Sequence, residues 1–152
     1  MALSFVENCS LEALNVSRNS QFQKMKRRID ERALLIAQES YTQMSSNVIT
    51  ASPVLSGLFR NNWFSGINAP NTSTTKATAK KSFGEKGGAR FNDFLQITGK
   101  MKYGDILYLT NSLPYARALE HGHSKRMAPY GMVRLSAAEW PEVVANVARK
   151  IR

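Results

Sequence analysis

From Asn19 to Val48 the apolar positions recur at steps of three and four: Phe22, Met25, Ile29, Ala33, Ile36, Met44 and Val48, with Lys, Arg, Gln and Glu between them. That spacing puts them on one stripe of an α-helix. Asn19 or Ser20 can cap its start by accepting a free backbone N–H. Thirty residues make a helix of roughly 45 Å, longer than a small domain is wide. One end is therefore expected to project, with Phe22, Met25 and Ile29 meeting another chain. The residues before it, 1–18, are mixed and read as an N-terminal extension in which "SLEAL" forms one turn capped by Ser10.

Beyond Val48 the period changes. In "ASPVLSGLFRNNW", Pro53 disfavours helical geometry at Ser52 and Gly57 permits a turn, so the helix ends there. "LFRNNWFSGI" then reads as a short strand. Residues 68–88 are rich in Thr, Ser, Lys, Asn and Gly, which predicts a flexible basic loop. "ARFNDFLQI" fits a short helix or a strand. "GDILYLTNS" alternates, with Ile106, Tyr108 and Thr110 on one face and Leu107 and Leu109 on the other, as a strand does. From Met132 to Ile151 the helical period returns through Trp140, Val143, Val144, Val147, Ala148 and Ile151, with Pro141 opening a fresh turn. The expected fold is α+β: a long N-terminal helix, a small mostly antiparallel sheet and a C-terminal helix, in one domain spanning 1–152.

Composition narrows the class. Hydrophobic residues make up 43% of the 152, a value for a folded chain. The single Cys9 excludes an internal disulfide and any multi-cysteine zinc site. No apolar run approaches the ~20 residues of a membrane span, and the first residues do not read as a signal peptide. A soluble protein is expected. Lys and Arg total 21 against 11 Asp and Glu, a formal net charge of +10, which points to nucleic acid, an acidic protein partner or an acidic membrane surface. The cations are scattered over Lys24–Arg28, Lys76–Arg90, Lys125 and the C-terminus. No helix-turn-helix, RNA-recognition or zinc-finger pattern accompanies them.

The segment "NSLPYARALEHGHSKRMAPYGMVRLS", Asn111–Ser136, carries the candidate chemistry. His121 and His123 could share one face of a strand, but two ligands do not make a zinc site, so no metal is expected. Either imidazole could serve as a base, with Ser112, Ser124 or Ser136 as nucleophile. However, no Ser sits in a Gly-x-Ser-x-Gly elbow, and no Asp stands nearby to orient a His. "GEKGG" lacks the Lys-Ser or Lys-Thr of a phosphate loop. Neither an enzyme nor a cofactor is indicated.

Two stretches resemble the small neck proteins of tailed bacteriophages, the tail-completion or head–tail joining proteins. In the first the matching positions are Pro53, Val54, Gly57, Leu58, Arg60 and Trp63, with Leu55 and Ser56 where the family usually has Asp-Thr. The second follows the family's "N-x-x-P-Y-A … L-E-x-G … A-P-x-G-x-V-R" signature through Asn111, Pro114, Tyr115, Ala116, Leu119, Glu120, Gly122, Ser124, Ala128, Pro129, Gly131, Met132, Val133 and Arg134. The resemblance covers most of the chain from about residue 20, and the order of elements matches too. It implies a structural virion protein without catalytic role or cofactor, made in the host cytoplasm and placed at the head–tail neck. Its copies would form a ring of six or twelve, with six favoured, between connector or stopper proteins and tail-terminator or tail-tube proteins, near DNA in the channel and away from membranes. In that reading the signature residues shape a turn: Pro114 and Pro129 restrict the backbone, Gly122 and Gly131 free it, and Glu120 accepts from backbone N–H groups or from Arg117 or Arg134. A basic nucleic-acid-binding module without catalytic activity is the alternative.

Overall fold

A computed structural model describes residues 4–78 and 89–151. The elements run α1 (Ser4–Ala51), α2 (Leu58–Asn61), β1 (Trp63–Ile67), α3 (Ala89–Lys100), β2 (Leu107–Asn111), α4 (Ala116–Glu120) and α5 (Val133–Lys150). This is the α+β arrangement expected, with a long N-terminal helix, a two-stranded antiparallel sheet and a C-terminal helix. The chain divides into two compact units, Met1–Ala33 and Leu34–Arg152.

α1 begins well before Asn19. No Pro or Gly interrupts residues 4–51, so nothing forces a break, and Ser10, Asn19 and Ser20 lie inside the helix instead of capping it. Residues 4–18 of the expected extension are thus helical. In the first unit Phe22, Met25 and Ile29 are exposed, as the stripe argument requires. In the second unit the same helix buries Tyr41, Val48 and Ile49, and Ser40, Ser45 and Ser52 leave room for close packing.

The first half of "LFRNNWFSGI" is the helical turn α2, not strand. Gly57 opens it at φ 86°, and the side chains of Asn61 and Asn62 donate to the carbonyls of Gly57 and Leu58 at 2.7 Å each. Local side-chain bonds of this kind favour a turn over a ladder. β1 starts only at Trp63 and pairs with β2 in the register Trp63↔Asn111, Ser65↔Leu109 and Ile67↔Leu107. β2 is half-buried along its whole length, and its Leu107 and Leu109 pack against the core together with Leu113, Ala116 and Leu119.

α3 resolves the ambiguity of "ARFNDFLQI" in favour of helix. It buries Phe94 and Thr98 beside β1, and α1 holds it through Gln38 Nε2, which donates to the Thr98 carbonyl at 2.8 Å. The core proper is Tyr41, Val48, Ile49, Phe59, Trp63, Phe94, Ala128 and Met132. α5 runs straight through Pro141 instead of restarting there. Ala137, whose carbonyl loses its partner to the proline, is exposed, so water can replace the missing N–H.

The described part of the basic loop of residues 68–88 is hydrogen-bonded to its neighbours. Asn62 is fully buried, and its amide both donates to the Thr75 carbonyl at 2.9 Å and accepts from the Thr75 N–H at 2.8 Å. Asn71 Nδ2 donates to the Ser65 carbonyl at 3.4 Å. The segment up to Thr75 is therefore fastened by the Thr75 backbone to Asn62 and by the Asn71 side chain to β1, despite its polar composition. Residues 79–88 of that loop lie outside the described residues. No described helix is long and apolar enough to cross a membrane.

Candidate functional site

The two stretches singled out in the sequence come together in the second unit through Ser52 with Met132 and Asn111 with Phe59, each set in a local network of polar contacts. Arg60 Nη2 donates to the carbonyls of Thr50 and Ser52 at 2.9 and 3.2 Å. α1 has no basic residue in its own last turn, so this guanidinium supplies the positive charge its C-terminal carbonyls favour. Trp63 Nε1 donates to Ser52 Oγ at 2.8 Å, and Ser52 Oγ donates on to the Val48 carbonyl at 2.8 Å. Met132 Sδ lies 3.4 Å from the same hydroxyl. Asn111 Nδ2 donates to the Phe59 carbonyl at 3.0 Å, while Asn111 Oδ1 accepts from the Leu113 N–H at 3.2 Å. Phe59 completes the junction, edge-on to Trp63 and tilted against Tyr115, with both ring centroids at 5.9 Å.

Beyond Tyr115 the chain turns through α4 and returns to α5, and Glu120 fixes the return. Its Oε2 accepts from the N–H groups of Met132 and Val133, each at 3.0 Å, and its Oε1 from the Arg134 N–H at 2.9 Å. These are among the N–H groups that the start of a helix leaves without intrahelical partners. Met132, at the cap position, provides no side-chain acceptor, so a carboxylate twelve residues upstream does the capping. Arg134 closes the clamp: Nη2 donates to the Glu120 carbonyl at 2.6 Å and Nε lies 3.4 Å from Oε1.

Burial opposes the charge on Glu120, but the N–H groups of Val133, Arg134 and Met132 and the Arg134 guanidinium outweigh it. The carboxyl is held below its ordinary pKa.

Two glycines make room for this clamp. A Cβ on Gly131, at φ 80°, would lie 2.5 Å from Glu120 Oε1. One on Gly122, at φ 84°, would lie 2.6 Å from the Pro129 carbonyl oxygen. Both positions combine a left-handed backbone with a close neighbour, so an L side chain fits neither.

Where the two stretches face one another they leave an open groove of about 670 Å³. Pro53, Leu55, Gly57 and Phe59 line one side; Tyr115, Leu119, His123 and Met127 line the other. Leu55 is 93% exposed and Met127 53%, which is unusual for side chains that gain from leaving water.

The groove offers exposed apolar surface from Leu55 and Met127. Glu120 has its lone pairs engaged and a lowered pKa, the reverse of a carboxylate poised for proton transfer near neutral pH. Ser136 is buried in α5, out of reach of a substrate. His121 and His123 are both exposed, one at the end of α4 and the other on the groove wall. Among the described residues no three His, Cys, Asp or Glu side chains are grouped to hold a metal.

Of the residues marked in the sequence, Pro53, Gly57 and Tyr115 meet at the groove. Arg60, Trp63 and Asn111 form the links behind it, and Glu120, Gly122, Pro129, Gly131 and Arg134 form the clamp. Pro114 is exposed at the turn into α4, and Glu120 takes Arg134 rather than Arg117 as its arginine. Phe22, Met25 and Ile29 belong to the other unit. Ser52, Phe59 and Asn62 were not marked, because a lone Ser, Phe or Asn carries no periodic or spacing signal. Comparison with protein-family models, curated proteins and solved structures gives no match to this chain.

Proposed function

We propose that this chain is a structural protein of the neck of a tailed bacteriophage, joining head connector to tail as part of a ring of its own copies. The observation that carries the reading is the Glu120 clamp. The residues that make the resemblance are used to fix a turn and wall a groove, as a docking part requires. In this reading the exposed groove and the uncovered stripe of α1 face neighbouring neck proteins and neighbouring copies. The protein acts without catalysis, and six copies match the symmetry expected at a head–tail junction.

The test is genetic and visual. Deleting the coding sequence from a phage that carries it should yield DNA-filled heads and separate tails, with normal particles restored by supplying the protein. Electron microscopy should place the chain at the neck. Its absence from virions, or normal particles without it, would sink the proposal. The basic nucleic-acid-binding reading is favoured by one observation, the six cations against two carboxylates in residues 15–33. It predicts DNA affinity that falls steeply with salt.

A further inference from the structure

Residues 15–33 of α1 carry an apolar stripe inside a basic surround. At 100° per residue, Phe22, Met25 and Ile29 fall within an arc of about 60°. They are 58%, 53% and 60% exposed. Lys26 and Arg28 flank that arc on opposite sides, and the carboxylates Asp30 and Glu31 lie off it. A surface that covers the stripe must offer apolar contact and negative charge together.

The chain contains such a surface. α5 turns Ser136, Trp140, Val143 and Val147 inward. Its outer face presents Leu135, Ala138, Glu139 and Glu142, all exposed, at the i, i+3, i+4, i+7 spacing of one helical ridge. The cation nearest the start of that face, Arg134, is already held by Glu120, and Arg149 follows only in the last turn. The groove beside Tyr115 is a poorer acceptor for this stripe, because Arg126 lines it and would meet Lys26 and Arg28 with like charge.

We infer that the Phe22–Met25–Ile29 stripe of one copy docks on the outer face of α5 of a second copy, with Lys26 and Arg28 beside Glu139 and Glu142. This rests on the ring reading above and names the two surfaces that make the ring. Both ridges rise through seven residue steps, about 10.5 Å, and Ala138 leaves a gap between Leu135 and Glu142 for an incoming side chain. The contact is heterologous, so it repeats from copy to copy rather than stopping at a pair, and gives a ring when the rotation closes. Two helical turns bury less than the ~1,000 Å² of a stable isolated interface. Assembly should therefore depend on protein concentration and weaken with salt.

Sedimentation of the full chain over a range of concentrations tests this, with circular dichroism to confirm folding. K26E/R28E and E139K/E142K should each raise the concentration for half-assembly about tenfold, the equivalent of about 1.4 kcal/mol. Both reversals in one chain should bring it back to within about threefold of the unaltered protein, because opposite charges face again. In a Cys9→Ser background, Met25→Cys with Ala138→Cys should give intermolecular cross-links, a readout independent of the charge variants. A doubly reversed chain no better than its worse parent, an unaltered chain that stays monomeric, or an absence of cross-links overturns the contact. If E139K/E142K assembles normally while M25D/I29D does not, the α5 acceptor falls and self-assembly through α1 stands. If M25D/I29D also assembles normally, self-assembly through α1 falls with it.

Discussion

Phe22 and Phe94 are the same side chain on two helices, yet one is 58% exposed and the other 1%. The difference lies in what surrounds each helix. α3 sits against β1 and is held by Gln38, so Phe94 enters a core with Trp63 and Met132. Phe22 lies on the part of α1 that belongs to the first unit, where it is exposed. A periodic apolar stripe therefore means two things in this protein: folding energy in the second unit, and unspent apolar surface in the first. Helical period alone does not distinguish them, because it reports which side chains share a face and not whether anything lies on it.

The comparison is broken most directly by truncation. Phe94→Ala should destabilise the second unit by about 3–5 kcal/mol, the usual cost of emptying a buried aromatic site. Phe22→Ala should change the same denaturant midpoint by no more than about 0.5 kcal/mol, as for an exposed residue. Equal effects would show that Phe22 belongs to a core. Next in size is Glu120→Ala, which strands three N–H groups at the start of α5 and should cost about 2 kcal/mol. Glu120→Gln should lose most of that, since its amide N–H would face a backbone N–H. A cost near zero for both would mean that the clamp contributes nothing.

The clamp also carries a pH signature. Because the folded pKa of Glu120 is depressed, its contribution is fully present above the unfolded pKa and lost as pH falls through the folded one. The stability gap between the unaltered protein and Glu120→Gln should be constant near neutral pH. It should shrink once pH drops below the ordinary glutamate value of 4.5. A gap that widens in acid would contradict this sign. The smallest effect on folding is expected from Met25→Asp with Ile29→Asp: circular dichroism and the melting of the second unit should stay close to those of the unaltered protein, while assembly fails. Unfolding would place both residues in a core, and normal assembly would remove this face from any interface.

Local chemistry by itself determined a good deal here. Periodicity dictates the long helix, the alternating strand at Leu107–Asn111 and the closing helix, because each period follows from backbone geometry whatever packs against it. The resemblance carried by Pro114, Glu120, Gly122, Pro129, Gly131 and Arg134 implied a constrained turn, since proline restricts the backbone locally and glycine frees it. Where competing local preferences were nearly balanced, as at "LFRNNW" and "ARFNDFLQI", the sequence left helix and strand open or favoured the wrong one. Contacts distant in the chain then decided. Asn62 turns toward Thr75 and fastens a segment whose composition reads as loose, and Ser52 joins Trp63 to Val48 across the end of α1. The burial of Phe94, the exposure of Phe22 and the groove between Leu55 and Met127 likewise exist only once the elements have met. Burial and hydrogen-bond partnership are properties of pairs brought together by folding, and no single position along the chain encodes them.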